Sequence, residues 1–295
     1  MHPAHRNTIC VEDTEVLSHK RFEADQFVLR LAAPHCAARA RPGAFVHIRC
    51  AADIPMRRPL SIMRVNKDGG WIEVLYKVVG HGLKRLSTAE PGDSINILGP
   101  IGNGFTPDER RPAAVMIGGG VGIPPLVFLA EHLHARDDDE PDAVAFFGSE
   151  LPFPFELVDS AVALPGIPDA ANRSLALLEK LGIASRLATT SGHAGCYAGY
   201  VTDLAGEWLE TLTVARRAQI TLYACGPEPM LAAVAALARR FDLPAQLCRE
   251  EFMACGVGGC AGCAVEIHTD DGPALYRVCF FFPVFSFSSF FPLFP

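Results

Sequence analysis

The chain has 295 residues, 49% of them hydrophobic, which is enough apolar material for the cores of two domains of ordinary size. Its 33 acidic and 26 basic side chains give a net charge of −7. Nucleic acid and anionic membrane surfaces both require a basic footprint, so we expect neither as the main partner. Residues 1–10 lack the apolar run of a secretory signal and no long apolar stretch follows, so we also expect a cytoplasmic chain without a membrane span.

The N-terminal third of the chain has the pattern of short strands separated by turns. Apolar or alternating runs occur at 27–31, 44–48 and 71–76. Turn-forming sequences separate them, Pro-Gly at 42–43 and Asp-Gly-Gly at 68–70. Several strands at this spacing predict an antiparallel barrel or sandwich.

A polar stretch at 106–111 ends this region, and strands then alternate with helices. The strand-like runs are 113–117, 143–147 and 220–223, and the helical segments include 125–135 and 230–240. Such alternation predicts a parallel sheet with helices on its faces. From about Pro244 the chain becomes a module rich in cysteine and glycine.

Four of the ten cysteines crowd near the C-terminus and form the strongest chemical signal. Cys255, Cys260 and Cys263 have the C-x4-C-x2-C spacing of a plant-type [2Fe-2S] cluster, with Cys279 as a distant fourth ligand. Glycines between them allow the backbone to wrap closely and to point N–H groups at the sulfurs. A structural zinc site is the alternative, although zinc ribbons usually have two C-x2-C pairs and this chain has one.

Two glycine turns at the ends of predicted strands are candidates for dinucleotide binding. The first, Gly118 to Gly122, leads into a helix that begins with proline, which places bare backbone and a helix N-terminus where a pyrophosphate can bind. It departs from the G-x-G-x-x-G fingerprint because Ile123 stands at the third glycine. The second is the Cys-Gly-Pro sequence at 225–227. Such strand ends line the ligand crevice of parallel sheets, but two turns that only pack helices are the alternative.

A basic sequence in the predicted barrel, Arg57-Arg58-Pro59-Leu60-Ser61, is the third candidate. An arginine can bind a diphosphate through two parallel hydrogen bonds, and a nearby serine can hydrogen bond a flavin ring. A basic turn before a strand is the alternative.

Glu150 follows the predicted strand at 143–147 and bears on the choice of nicotinamide. An acidic side chain at this place can accept hydrogen bonds from an adenosine ribose and would repel a 2′-phosphate, which favours NADH over NADPH. A solvated loop charge is the alternative.

In chain order these motifs resemble the ferredoxin-reductase superfamily, and the glutamate-led cysteine segment resembles the electron-transfer subunit of class 1B dihydroorotate dehydrogenases. The resemblance extends from about residue 8 to Cys279. It implies a six-stranded β-barrel FAD domain at 1–108, a Rossmann-like α/β NAD domain at 109–244 and a small [2Fe-2S] domain at 245–295.

The resemblance also implies roles for individual residues, with Ser61 and Cys225 as candidate catalytic residues. The implied FAD site consists of Arg58, Pro59, Leu60, Ser61, Leu75, Tyr76, Lys77, Gly82 and Leu83. The candidate NADH site, which follows from the two turns and the strand end described above, consists of Gly118, Gly119, Gly120, Gly122, Glu150, Cys225, Gly226 and Pro227. The cluster ligands are Cys255, Cys260, Cys263 and Cys279.

The implied function is electron transfer from NADH through FAD and the [2Fe-2S] cluster. The final acceptor would be a separate FMN-containing catalytic subunit that oxidises dihydroorotate in pyrimidine biosynthesis, with the two chains assembled as a heterotetramer. The chain shows no second flavin motif and no evident catalytic base, as expected of a helper subunit. Two alternatives stay open: a related reductase that serves a different oxidoreductase, and, from another class of protein, a zinc-stabilised binding module.

Two positions depart from the family pattern. Leu83 stands where a small hydroxyl residue is commoner, and phenylalanines at 280–282 replace a polar turn. The phenylalanine-rich tail, residues 280–295, is too short and too interrupted by proline to span a membrane. The tail is either a segment that docks on a partner or an altered sequence, and we assign it no function.

Overall fold

The computed structural model describes residues 9–136, 142–269, 272–281 and 284–286. Residues 1–8, which enter the expectation about a secretory signal, lie outside these ranges, and so does most of the tail at 282–295. Within the described ranges, no helix combines the length and the apolar character needed to cross a membrane.

The N-terminal region forms a closed barrel of six antiparallel strands, as the resemblance implied. The strands are β1 (Cys10–Phe22), β2 (Gln26–Ala32), β3 (Phe45–Ile48), β4 (Arg58–Asn66), β5 (Trp71–Lys77) and β6 (Ser94–Ile101). Their order around the barrel is β1-β2-β5-β4-β3-β6. Two short helices, α1 (Pro34–Arg39) and α2 (Gly80–Leu86), connect them. Alternate residues such as Leu29, Leu31 and Val74 point inward and are fully buried.

β1 was not among the strands that the sequence predicted, because its inward face is partly polar. Glu12 and Thr14 are buried there. The Glu12 carboxylate accepts hydrogen bonds from the backbone N–H groups of His35 (3.0 Å) and Cys36 (3.1 Å) at the start of α1. The Thr14 hydroxyl donates to the Ile95 carbonyl at 2.7 Å. These bonds satisfy polar groups that would otherwise be costly to bury.

The second region is a sheet of seven strands whose order is that of a doubly wound α/β fold. In spatial order the strands are β12 (Tyr197–Ala198), β11 (Ala184–Thr189), β8 (Ala143–Gly148), β7 (Ala113–Gly119), β13 (Ile220–Cys225), β14 (Ala245–Cys248) and β17 (Val284–Ser286). All neighbours are parallel except β17, which runs antiparallel to β14. The predicted parallel sheet is thus confirmed.

Helices cover both faces of this sheet. They are α3 (Ile123–His134), α4 (Ala176–Lys180), α5 (Val201–Thr211), α6 (Val214–Arg217) and α7 (Glu228–Phe241), and β9 (Leu157–Asp159) pairs with β10 (Arg173–Leu175) beside it. Alternate residues of β7 serve the two faces: Met116 packs with α3, and Ile117 packs with α5 and α7. The helix predicted at 125–135 begins two residues earlier because prolines are well accepted in a first helical turn.

The cysteine-rich segment forms a hairpin that packs on the barrel. Its elements are β15 (Ala264–Thr269), β16 (Gly272–Arg277) and the short helix α8 (Val278–Phe281). Cys263, Val278 and Cys279 share a buried apolar cluster with Phe45 of β3 and Ile101 of β6. β14 and β17 lie beyond Pro244 yet belong to the seven-stranded sheet. The division at 108 and 244 stays a prediction.

Candidate functional site

The two neighbouring arginines of the barrel motif have different surroundings. The Arg57 guanidinium donates to the carbonyl oxygens of His47 and Asn96, both at 3.1 Å, and to the Asn96 side chain. Arg58 donates to the carbonyl oxygens of Met56 (2.9 Å) and Arg57 (3.1 Å). Its guanidinium lies over the start of α2, where a Cβ on Gly82 would be 3.1 Å from Nε. Arg57 therefore braces the barrel, and Arg58 is the better placed to bind a diphosphate.

The other predicted flavin residues are divided between β4, β5 and α2. Ser61 is half-buried and lies opposite Phe45 of β3, and Lys77 is exposed. The remaining side chains are largely buried within the barrel region: Pro59 is half-buried, and Leu60, Leu75, Tyr76 and Leu83 are buried. Their contacts with FAD stay predictions.

Tyr76 is held inside the barrel by two neighbours. Its hydroxyl is 2.8 Å from His19 Nε2, and its ring stacks on Phe27 with centroids 5.4 Å apart. Burial raises the pKa of the Tyr76 phenol, so the hydroxyl stays protonated. Tyr76 thus supports the strand that carries Leu75 and Lys77.

The two glycine turns meet at the carboxyl ends of adjacent parallel strands. Gly118 of β7 lies opposite Cys225 of β13 in the register. A Cβ on Gly122 would lie 2.3 Å from the Cys225 carbonyl oxygen, and a Cβ on Gly119 would lie 2.7 Å from Met230 Sδ. Gly120, at φ +55°, has open space where a side chain would be. The turns therefore form one concave backbone surface, which is the shape that a pyrophosphate requires. Binding of NADH there stays a prediction.

Cys225 is fully buried, although it was a candidate catalytic residue. It lies opposite Cys248 of β14 in the register. A hydrogen bond with Cys248, together with burial, raises the pKa of the Cys225 thiol, which is therefore neutral. Its flanking residues Gly226 and Pro227 both pack near Gly119. A role of the thiol beside the nicotinamide stays a prediction.

Glu150 lies at the same edge of the sheet. The end of β8 is in register with the first glycine turn, since Gly148 lies opposite Gly119. Glu150 is exposed, and its carbonyl oxygen accepts a hydrogen bond of 2.7 Å from Ser191 Oγ in the loop after β11. The backbone is thus fixed while the carboxylate faces solvent, which is compatible with the predicted ribose contact.

The four cysteines of the C-terminal segment, three in the loop before β15 and one in α8, form two pairs. Cys263 Sγ and Cys279 Sγ are 3.2 Å apart. Cys255 Sγ accepts a hydrogen bond of 3.4 Å from the backbone N–H of Cys260. Cys263 and Cys279 are buried, whereas Cys260 is exposed. Among the described residues, no three His, Cys, Asp or Glu side chains are already gathered as ligands of a metal ion.

The loop at 255–260 is built to stabilise a thiolate. Burial acts to raise the pKa of Cys255, but hydrogen bonds outweigh it and lower the pKa to about 7. The donors are the Cys260 thiol and the backbone N–H groups of Val257, Gly259 and Cys260. In contrast, burial and the adjacent Cys263 raise the pKa of Cys279 to about 12. A bound cationic cluster would reverse that effect, because it favours thiolates. Four thiols surrounded by backbone donors fit a [2Fe-2S] cluster.

His47 of β3 was missed by the sequence reasoning. It lies opposite Pro59 of the barrel motif in the register, and a Cβ on Gly256 would lie 2.8 Å from its Nδ1. His47 therefore lies between the predicted flavin-binding strand β4 and the loop that carries Cys255. The sequence feature that could have drawn attention to His47 is that it is the single polar residue in the apolar run at 44–48.

Comparison with known proteins finds relatives that match most of the chain. A family model described as the iron-sulfur cluster binding domain of dihydroorotate dehydrogenase B matches residues 250–290. The electron transfer subunit of dihydroorotate dehydrogenase B (NAD(+)) from Desulforamulus reducens is 31% identical over 288 residues, which cover 93% of this chain and 96% of the relative. The corresponding subunit from Bacillus caldolyticus is 36% identical over 252 residues, covering 83% and 84%.

Solved structures share the fold at lower identity. The structure of an NADH-dependent reduced ferredoxin-NADP oxidoreductase superposes with a TM-score of 0.71 and 24% identity, covering 94% of this chain and 88% of that chain. A ferredoxin NADP+ reductase from Neisseria gonorrhoeae, solved with bound FAD and NADP, gives a TM-score of 0.55 and 16% identity, covering 78% and 91%. The barrel and the sheet are therefore arranged as in reductases of this fold.

Proposed function

Because the chain belongs to the family of dihydroorotate dehydrogenase B electron transfer subunits, we propose that it carries electrons from NADH to the catalytic subunit of such an enzyme. The chain is an NADH-dependent oxidoreductase subunit that uses FAD and a [2Fe-2S] cluster. The observation that carries the proposal is the placement of β3. This strand pairs with the Arg58–Ser61 segment on one edge and packs against the cysteine hairpin through Phe45.

In the proposed reaction the joined glycine turns hold NADH by its pyrophosphate. Gly120 provides an open approach and the α3 N-terminus provides positive potential. Arg58 binds the FAD diphosphate, and Ser61 orients the flavin ring through its hydroxyl. When bound, FAD accepts a hydride and supplies single electrons to the cluster. The barrel contributes a rigid support, because Arg57 and Tyr76 are fixed by internal hydrogen bonds.

The proposed partner is an FMN-containing subunit that oxidises dihydroorotate, and we expect the two chains to assemble as a heterotetramer. Cys260 is the exposed member of the cysteine set, so the cluster has one side near the protein surface. Electrons can leave the chain there. A location in the cytoplasm stays a prediction.

The proposal is tested by co-expression with a candidate FMN-containing catalytic subunit. Purification through a tag on this chain alone recovers both, and the complex couples dihydroorotate oxidation to NAD+ reduction. The Cys260→Ser variant serves as the control, since it breaks the electron path between the two flavins. A catalytic subunit that neither co-purifies nor gains NAD-linked activity would contradict the proposed partner and leave the reductase of another system as the alternative.

A further inference from the structure

His47 is a fully buried histidine whose ring nitrogens both lack a hydrogen-bond partner. Such groups are rare, because more than about nine in ten buried polar groups in proteins are paired. Leaving a buried donor or acceptor unpaired carries a large free-energy cost, because the bonds lost to water are not replaced. A cost of this size indicates that the ring has a partner when the protein is complete.

The ring is directed toward the cysteine loop. Its Nδ1 lies against Gly256, where a Cβ would be only 2.8 Å away and where the backbone has φ +67°. Gly256 directly follows Cys255, whose sulfur accepts backbone hydrogen bonds from this loop. Any side chain at 256 would separate the imidazole from the loop. The glycine therefore serves both the positive φ of the loop and the close approach of the imidazole.

The charge state of the His47 ring determines which hydrogen bonds it can make. Burial, and the positive charges of Arg57 and Arg58, lower the pKa of His47 to about 4. The neutral imidazole has one N–H donor and one acceptor nitrogen. A sulfur ligand, or an inorganic sulfide of a cluster, is an acceptor that such a donor would suit.

We propose that His47 is a positioning residue for the cluster, donating an Nδ1–H hydrogen bond to its sulfur atoms across Gly256. This inference rests on the proposed function. Reduction adds negative charge to the cluster, so a donor stabilises the reduced form more than the oxidised form. His47 thereby raises the reduction potential of the cluster and favours transfer of electrons from the flavin side, where β4 pairs with β3.

Three variants test the assignment. His47→Phe keeps an aromatic ring and removes both nitrogens. His47→Asn places an amide near the position of Nδ1, and His47→Gln places one near the position of Nε2. The matched control is His132→Phe in α3, a half-buried histidine outside the barrel. Iron, sulfide and FAD contents are measured first, because a wild-type protein without iron would refute the proposed function and not this inference.

The decisive readout is the midpoint potential of the cluster, followed by EPR during an anaerobic redox titration. We expect a lower potential in His47→Phe, recovery of at least half of that shift in His47→Asn, and little recovery in His47→Gln. Wild-type protein labelled with ¹⁵N-histidine should also show a nitrogen coupling to the reduced cluster that is absent from His47→Phe. An unchanged potential in His47→Phe overturns the inference. If that variant loses its cluster, equal potentials in the Asn and Gln variants overturn it instead.

Discussion

Gly122 and the carbonyl group of Cys225 are in direct contact: a methyl group on Gly122 would lie 2.3 Å from that oxygen. The contact joins the turn after β7 to the turn after β13 through backbone alone. Neither partner can move as a flexible side chain could, so the shape of the proposed pyrophosphate site depends on the absence of a side chain at position 122.

Gly122→Ala should therefore destabilise the protein by about 2–3 kcal/mol, as overpacking of a rigid contact does. The backbone angles at 122 are compatible with alanine, so the collision is the main cause of the loss. Gly119→Ala is the matched control, because its closest contact would be Met230 Sδ in a flexible side chain (2.7 Å), with the rigid ring of Pro227 farther away at 3.2 Å. The loss of stability in each of the two variants is measured from its urea unfolding midpoint. Equal losses in the two variants would mean that the backbone contact has no special role.

Arg58→Ala should weaken FAD binding by on the order of 2 kcal/mol, and Arg58→Lys should recover only part of it, since lysine cannot form two parallel hydrogen bonds. The stability of the protein should change little. Arg57→Ala should show the reverse pattern, because Arg57 braces His47 and Asn96 within the barrel. FAD retention after gel filtration and the thermal midpoint separate the two effects. Full FAD retention in Arg58→Ala would mean that a cation other than Arg58 binds the FAD diphosphate.

Cys260→Ser should abolish the cluster and leave FAD bound, because a hydroxyl is a harder and more basic donor than a thiolate. Cys10→Ser is the control: its Sγ donates to the Gly99 carbonyl at 3.0 Å, a bond that serine can also make. Iron, acid-labile sulfide and flavin are measured in each purified variant. Full iron occupancy in Cys260→Ser would remove this residue from the ligand set.

Glu150→Arg should narrow a preference for NADH over NADPH, because the arginine replaces a charge that repels a 2′-phosphate. The exposed position and the fixed backbone of Glu150 make large structural effects unexpected. Glu109→Arg, an exposed carboxylate before the amino end of β7, is the control. kcat/KM is compared for both cofactors with an artificial acceptor. A wild-type preference for NADPH would contradict the cofactor assignment, whereas an unchanged ratio in the variant would remove Glu150 alone.

The sequence predicted much of the fold because most strands and helices bury apolar residues at their regular spacing. β1 escaped prediction, since its inward Glu12 and Thr14 are paired by bonds to distant parts of the chain that no local pattern reveals. The same reason applies to the contrast between Arg57 and Arg58. The motif identifies two arginines, and only tertiary contacts show which of them is engaged within the barrel.

The cysteine spacing predicted a ligand set, yet it contained no information about which residues lie against the loop at 255–260. His47 is remote in sequence from Gly256 and approaches it only because the hairpin packs on β3 and β6. The proposed path from flavin to cluster therefore depends on how two separate motifs are folded together, which spacing within either motif cannot specify.

Anaerobic addition of NADH to the purified chain tests the central claim most directly. Visible absorbance reports the flavin, and EPR reports a reduced [2Fe-2S] cluster. The account predicts that NADH bleaches the flavin and that the EPR signal of the cluster then develops, with no signal in Cys260→Ser. A protein that contains zinc in place of iron, or a flavin that NADH reduces while the cluster stays oxidised, would contradict it.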